Sequence, residues 1–158
     1  MAVETERKFL VSGTAYKQEA VKSDRITQGY LSSCPGRIVR VRIRGAKGYL
    51  TVKGPKSPGG MSCMEWETEI PLPDARALLE ICEPGVIDKI RHLVPVGSHT
   101  FEVDEFLGAN EGLTVAEVEL SGEDEAFERP CWLGPEVTSD PRYYNASLSV
   151  KPYKEWRQ

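Results

Sequence analysis

The chain has 158 residues, a formal net charge of −4 at pH 7 and 28% charged residues. This length suits one domain with a buried core, so we treat residues 1–158 as a single domain. The negative net charge argues against nucleic acid as a partner, since nucleic-acid binding needs a basic surface. No apolar run approaches the roughly 20 residues of a membrane-spanning helix, and residues 1–11 carry charges where a signal peptide is apolar. We therefore expect a cytoplasmic protein with no membrane partner.

Cysteine and histidine supply no metal-binding or redox motif. No two of the four cysteines form a CxxC pair, so we predict reduced and mostly buried thiols. The four residues are Cys34, Cys63, Cys82 and Cys131. The two histidines, His92 and His99, fit neither an HxxxH nor an HExxH pattern. A metal site built on histidine or cysteine is therefore not expected.

Short segments of alternating polar and apolar residues, separated by Gly, Pro, Ser or Asp, predict eight β-strands. In chain order they cover residues 3–11, 25–31, 37–44, 48–53, 62–70, 86–94, 99–106 and 113–120. Residues 44–48 fit a hairpin loop, and the Gly- and Pro-rich residues 54–60 fit a flexible loop. Helical signals are few. They cover residues 12–21, 73–82, 121–127 and 145–150, and Asp74 is expected to cap the second of them.

The charged residues of the predicted strands recur at every second position, which places them on one face of each strand. Each such face carries nearly one sign of charge. The basic positions are Lys8, Arg40, Arg42, Arg44, Lys53, Lys89 and Arg91. The acidic positions are Glu4, Glu6, Glu65, Glu67, Glu69, Glu102, Asp104, Glu117 and Glu119.

On a single strand such a face is typical of a sheet that is half exposed to water. Seven strands with faces of one sign favour a different interpretation, because stacked like charges repel each other unless a partner of opposite charge lies among them. A strand-rich chain favours a sandwich or a barrel, and a closed barrel of about eight strands can enclose one small ligand. If the charged faces point inward, a basic wall would bind phosphate oxygens and an acidic wall would bind a hard cation such as Mg²⁺ or Mn²⁺.

The opening Glu4-Thr-Glu-Arg-Lys8 resembles the ExExK signature of the CYTH superfamily, the triphosphate tunnel metalloenzymes. Further segments resemble the small bacterial-type members in the same order, over nearly the whole chain. They are Gln28-Gly-Tyr-Leu31, Val39-Arg-Val-Arg-Ile43, Leu50-Thr-Val-Lys53, Glu65-Trp-Glu67, Asp88-Lys-Ile-Arg91, Phe101-Glu-Val-Asp104, Val115-Ala-Glu-Val-Glu119 and Asp140-Pro-Arg-Tyr-Tyr-Asn145. The resemblance implies a mainly β, α+β fold: a closed eight-stranded antiparallel tunnel with a few short helices packed outside.

The resemblance also implies a role for each charged position. The residues that would bind the triphosphate are Lys8, Arg40, Arg42 and Lys53. The residues that would bind Mg²⁺ or Mn²⁺ are Glu4, Glu6, Asp104, Glu117 and Glu119, with Glu65 and Glu67 as supporting acidic residues. Lys89 and Arg91 match a catalytic pair in which the lysine helps to activate the attacking water. Such a lysine must lose its proton, and the neighbouring Arg91 would favour this by lowering its pKa.

Some positions keep two interpretations. Arg44 and Glu69 lie at strand ends, so they belong either to the rim or to the surface. Glu102 has the parity of the lumen, although one acidic position on its strand could suffice. Residues 142–144 form either a lid over the tunnel or a packed C-terminal segment. Trp66 has outward parity and is a poor candidate for stacking on a base.

The function that these features predict is metal-dependent hydrolysis of inorganic tripolyphosphate, with the small-molecule triphosphate as the only partner and a monomer or homodimer as the assembly. One alternative is another triphosphate reaction in the same tunnel, either a class IV-type adenylate cyclase or an organic triphosphatase acting on thiamine or nucleoside triphosphate. Another is a polyphosphate- or nucleotide-binding module without turnover. The many acidic residues argue against that module, because a pure anion receptor does not need metal ligands.

Overall fold

A computed structural model describes residues 2–156 and contains nine β-strands with three short α-helices. The strands are β1 (Ala2–Val11), β2 (Lys22–Ser32), β3 (Ile38–Arg44), β4 (Lys47–Lys56), β5 (Ser62–Ile70), β6 (Ile87–Val96), β7 (His99–Phe106), β8 (Thr114–Leu120) and β9 (Leu133–Glu136). The helices are α1 (Tyr16–Glu19), α2 (Leu72–Glu80) and α3 (Asn145–Val150). None of the helices in this part of the chain is long and apolar enough to cross a membrane.

The strands form one antiparallel sheet that closes on itself. Their order is β5-β4-β3-β2-β6-β7-β8-β1-β9, and β5 also pairs with β1. This last pairing turns the first eight strands into a closed barrel, which confirms the predicted fold. Each of the eight predicted strands is present, and β9 is an addition.

The added strand β9 completes an edge of β1 that β5 covers only in part. The β5 pairing ends at Thr5, and the Lys8 amide beyond it donates to Thr138 Oγ1 at 3.0 Å. β9 then pairs opposite Phe9 and Val11. Gly and Pro in the middle of β9 explain why no strand was predicted there, since both residues are rare in strand interiors.

The predicted loops around β4 differ in accuracy. The hairpin at residues 44–48 is confirmed as a tight turn between β3 and β4, with Gly45 at a φ of 59°. The predicted loop 54–60 is wrong in its first half, because β4 continues through Lys56. A shift in register between Lys53 and Lys56 lets Gly54 and Pro55 lie within the strand.

An apolar core lies outside the barrel, against the outward faces of β1, β6, β7 and β8. It is covered by α1 and by the segment that precedes β9. Its buried members are Phe9, Tyr16, Val94, Phe101, Val103, Ala116, Val118, Leu120 and Trp132. The outward-facing apolar residues of these strands therefore stabilise the barrel by burial against its cover.

A second apolar core brings α3 against strand residues that share the inward parity of the charged positions. Its buried members are Tyr30, Ile87, Phe106, Leu113, Val115, Ala146 and Leu148. The inward face of these strands is thus charged along one part and apolar along the other. This division confines the polar cavity to the charged part of the barrel.

Three helix predictions need correction. Residues 121–127 form turns instead of a helix, and the Glu125 carboxylate accepts a hydrogen bond from the Ser121 amide at 2.6 Å. The helix predicted at 12–21 is only the single turn α1. Asp74 does not cap α2; it lies in the first turn, and Pro71 occupies the N-cap without a side-chain hydrogen bond. The helix at 145–150 is confirmed.

The prediction of mostly buried cysteines was wrong. Cys63 is buried and Cys82 is half-buried, whereas Cys34 and Cys131 are exposed. Both exposed residues lie between strands, where the chain runs over the surface. All four are free thiols.

Candidate active site

A polar cavity of about 430 Å³ lies within the barrel. It is lined by all the predicted site residues except Lys89 and Asp104. These lining residues are Glu4, Glu6, Lys8, Arg40, Arg42, Lys53, Glu65, Glu67, Arg91, Glu117 and Glu119. Because cross-strand neighbours share a face, pairs such as Lys8 opposite Glu117 bring opposite charges into the same interior.

The basic and acidic residues of the cavity meet in ion pairs. Lys53 Nζ lies 3.1 Å from Glu4 Oε1, and Lys8 Nζ lies 3.8 Å from Glu117 Oε1. Arg40 Nη2 lies 3.4 Å from Glu67 Oε2. The predicted basic and acidic walls therefore touch, and each of these cations has a carboxylate beside it.

Carboxyl groups also lie against each other in this cavity. Burial, together with the charge of Glu117, holds the pKa of Glu6 well above its usual value. Burial and a hydrogen bond with Glu4 raise the pKa of Glu65 to about 7. Like charges this close favour a proton or a cation between them.

The acidic residues fit a hard divalent cation, because all of their donors are carboxylate oxygens. No three His, Cys, Asp or Glu residues within residues 2–156 are gathered closely enough to hold an ion by themselves. Mg²⁺ usually keeps several water ligands and is bound by one or two carboxylates plus substrate phosphates. The same oxygen donors suit Mn²⁺.

Lys89 and Asp104 form a buried charge network beside the cavity. Asp104 accepts two hydrogen bonds from Arg91, at 2.8 and 2.9 Å, and its Oδ2 lies 2.7 Å from Lys89 Nζ. Lys89 Nζ also donates to Asn145 Oδ1 at 2.9 Å. Both Asp104 oxygens are therefore engaged by cations, and Lys89 is fully buried.

This network shifts the pKa values of both residues. Burial opposes ionisation of Asp104, but the charges of Arg91 and Lys89 outweigh it and lower the pKa of Asp104 to about 2. Burial lowers the pKa of Lys89 to about 7, with Arg91 as a smaller contributor and Asp104 opposing. The predicted effect of Arg91 on Lys89 therefore has the expected sign, but burial is the larger cause.

Arg42 is a cavity cation whose charge is not balanced by a carboxylate. Its Nε donates to Gln28 Oε1 at 2.9 Å, and no carboxylate within residues 2–156 lies at salt-bridge distance. Burial and the neighbouring charges of Arg40 and Arg91 lower the pKa of Arg42 to about 9. Its remaining N–H donors fit an anion in the cavity.

Sequence comparison places this site in a known family. The model of the CYTH domain matches residues 2–153. The chain belongs to the CYTH domain family. This confirms the resemblance seen in the ExExK segment and in the strands that follow it.

Named relatives of this CYTH chain match it over 97–100% of their own length. An inorganic triphosphatase of Acetivibrio thermocellus is 48% identical over 159 residues, covering 100% of both chains. An inorganic triphosphatase of Nitrosomonas europaea is 36% identical over 152 residues, covering 93% of this chain and 97% of that protein. The crystal structure of the inorganic triphosphatase NE1496 superposes with a TM-score of 0.69 at 31% identity, covering 96% of this chain and 97% of that one.

The CYTH tunnel of this chain also uses residues to which the sequence analysis gave no role. Gln28 and Asn145 connect Arg42 to Lys89, since Gln28 Nε2 donates to Asn145 Oδ1 at 3.3 Å. Lys56 lines the cavity as well. Asn145 lies within the C-terminal segment that carries the resemblance. Polar residues are common at helix starts for structural reasons, so its residue type alone did not indicate a contact with Lys89.

Among the strand positions with two interpretations, Glu69 is exposed, whereas Arg44 and Glu102 face the cavity. Arg44 lines the cavity and pairs with Asp24 at 3.1 Å, and Glu102 lines it and pairs with Arg91 at 3.4 Å. Trp66 is exposed on the outer face, as its parity predicted.

The C-terminal segment is divided in its contacts. Tyr144 lines the cavity, and the Tyr143 carbonyl accepts a hydrogen bond from Lys8 Nζ at 3.2 Å. Arg142 instead points to solvent and pairs with Asp140. The segment is packed against the cavity in this structure.

Proposed function

We propose that this CYTH protein hydrolyses inorganic triphosphate in its charged tunnel with the help of Mg²⁺ or Mn²⁺. The observation that carries the proposal is a cavity of about 430 Å³ within the closed barrel, in which cations and carboxylates converge. That arrangement suits a short polyanion together with a divalent ion. The naming of full-length relatives as inorganic triphosphatases supports the same substrate.

Each group of cavity residues has a part in the proposal. The substrate-binding residues are Lys8, Arg40, Arg42 and Lys53. The metal-binding residues are Glu4, Glu6, Glu117 and Glu119, with Glu65 and Glu67 supporting them. A bound divalent ion would neutralise charge on the phosphate oxygens and orient the chain. Asp104, which the resemblance assigns to the metal, is engaged by two cations here, so we propose that it orients Arg91 and Lys89.

The test is a substrate panel. Purified protein is incubated with tripolyphosphate, ATP and thiamine triphosphate, each with Mg²⁺, with Mn²⁺ and with EDTA, and phosphate and cyclic AMP are measured separately. We expect phosphate release from tripolyphosphate that EDTA abolishes. Cyclic AMP as the main product would indicate a cyclase, and faster turnover of thiamine triphosphate or ATP would indicate an organic triphosphatase. Binding without product under every metal condition would indicate a binding module.

Replacing Glu117 by glutamine is expected to raise the Mg²⁺ or Mn²⁺ concentration needed for half-maximal activity about tenfold or more. The substitution removes the negative charge of one proposed metal ligand but keeps the size of the side chain, so the tunnel should retain its shape. Glu111→Gln is the matched control, because Glu111 is exposed and, among residues 2–156, pairs only with Lys154. Metal titrations of phosphate release compare the three proteins. Equal metal requirements would remove Glu117 from the proposed ligands.

Lys89 is proposed to act on the attacking water in its neutral form. Because its pKa lies at about 7, we expect the hydrolysis rate to rise as the pH increases through that value. Lys89→Ala should lose this rise and most of the turnover while still binding tripolyphosphate. A pH–rate profile and calorimetric binding test both points. A variant that binds normally and hydrolyses at the full rate would exclude the role.

We also propose that the protein is cytoplasmic, as the sequence predicts. We propose that it works as a monomer or homodimer, since each barrel contains its own cavity. Light scattering after gel filtration measures the assembly. A larger assembly would contradict this part of the proposal.

A further inference from the structure

A bulge in β4 turns Lys56 towards the interior of the barrel. Lys53 lies opposite Glu65 on β5, and Lys56 lies opposite Cys63, so three steps on β4 match two steps on β5. Strict alternation would place residues three apart on opposite faces, but one extra residue in a strand restores the same face. Pro55 lies within this bulge, where a proline is tolerated in a strand.

The ammonium group of Lys56 is held at the cavity wall by an aromatic ring. Lys56 lines the cavity, and its Nζ lies 4.6 Å from the centroid of the Tyr144 ring. The same ring receives Lys8 Nζ at 5.2 Å. The Tyr144 hydroxyl donates to the Thr138 carbonyl at 3.2 Å, which orients the ring. The position of Lys56 is therefore defined by packing as well as by the bulge.

Lys56 differs from most cations of the cavity in having no carboxylate partner. Five of the others lie 3.8 Å or less from a carboxylate oxygen: Lys8, Arg40, Arg44, Lys53 and Arg91. Within residues 2–156, Lys56 shares with Arg42 the lack of such a partner.

The surroundings of Lys56 also disfavour its charge. Burial and the positive charges of Lys53 and Lys8 lower the pKa of Lys56. Three lysines in one corner of a cavity repel each other, and an anion that contacts all of them would relieve this repulsion. Phosphate oxygens are the anionic groups that such ammonium donors bind well.

We propose that Lys56 is a further phosphate-binding residue of the tunnel, contacting the polyphosphate chain on the side of Lys8 and Lys53. The inference rests on the proposed function for the identity of the anion, an inorganic polyphosphate. It adds a contact that simple strand alternation does not predict, because alternation without the bulge would place Lys56 on the outer face. Because the contact is with charge on the chain and not with a reacting atom, it should affect binding more than turnover.

The experiment compares Lys56→Ala and Lys56→Arg with Lys47→Ala, which removes the same charge from an exposed position on the same strand. Calorimetry with tripolyphosphate in EDTA measures the dissociation constant, and phosphate release with Mg²⁺ measures KM and kcat. We expect Lys56→Ala to raise the dissociation constant and KM about tenfold or more, with kcat within about threefold of the parent. Lys56→Arg should retain most of the affinity, and Lys47→Ala should match the parent.

An unchanged dissociation constant in Lys56→Ala would overturn the inference, as would an equal loss in Lys47→Ala. Thermal unfolding of each variant checks the fold, and Lys56→Gln replaces the alanine variant if that one is not folded. The experiment distinguishes a failure of this inference from a failure of the proposed function. A parent protein that binds tripolyphosphate without hydrolysing it would contradict the proposed function. The calorimetric comparison of the variants would still decide the role of Lys56.

Discussion

Replacing Arg42 by methionine is expected to lower the affinity for tripolyphosphate about a hundredfold while changing the stability of the protein only a little. Arg42 lines the cavity without a carboxylate partner, so its free N–H donors are the ones most available to phosphate oxygens. One charged hydrogen bond contributes about 1.5–3 kcal/mol, and a guanidinium can make two to one phosphate. A hundredfold corresponds to about 2.8 kcal/mol.

The stability of Arg42→Met follows from the same isolation of the charge. Arg40 and Arg91 repel Arg42, and its burial further disfavours the ionised form. Methionine keeps the apolar stem and removes the isolated charge, but it leaves the buried Gln28 Oε1 without its donor. Because these two effects oppose each other, we expect the free energy of unfolding to change by no more than about 1 kcal/mol.

Calorimetry and denaturant unfolding measure the two effects, with Arg76→Met on the exposed face of α2 as the control. A large loss of stability in Arg42→Met would show that Arg42 is mainly structural. An unchanged affinity would contradict its role in binding.

Replacing Asp104 by alanine is expected to lower the free energy of unfolding by about 3–5 kcal/mol. Asp104 is the shared partner of Arg91 and Lys89, and all three side chains are buried. Breaking a buried ion pair by removing one partner is strongly destabilising because it leaves the other charge without compensation. Lys89 can lose its proton to reduce this cost, but Arg91 cannot.

Glu102→Ala is the matched control for Asp104→Ala. Glu102 lies on the same strand and also pairs with Arg91, at 3.4 Å, but its side chain is 37% exposed. A partly exposed pair contributes little, so we expect a loss of less than about 1 kcal/mol. Urea unfolding of the parent and both variants measures the difference. Similar losses in the two variants would mean that the Asp104 network is not the main electrostatic support of the barrel.

Much of the barrel and of its lining could be predicted because strand alternation is a local property. Arg40 and Arg42 lie on the same face of their strand whatever strand pairs with it, since they are two residues apart. The same holds for Glu4 with Glu6 and for Glu117 with Glu119. The family motifs then indicated that these faces meet around a phosphate chain.

Other features depend on contacts between distant segments, and no local pattern indicates them. β9 is a strand only because β5 leaves part of the β1 edge open, and Asp104 is engaged by cations because β6 lies beside β7. Residues 121–127 have a helical composition but form turns, and Glu125 contacts His99 of the distant strand β7.

The sequence by itself determined which side chains share a face, and therefore that several strands present one sign of charge. Only the tertiary structure decided that Lys56 faces inward and that Lys89 is buried beside the cavity instead of lining it. It also decided that Arg42 has no carboxylate partner in the described part of the chain, while Lys53 has one. The physical reason is that alternation follows from the geometry of one strand, whereas bulges, burial and charge pairing depend on which strands become neighbours when the barrel closes.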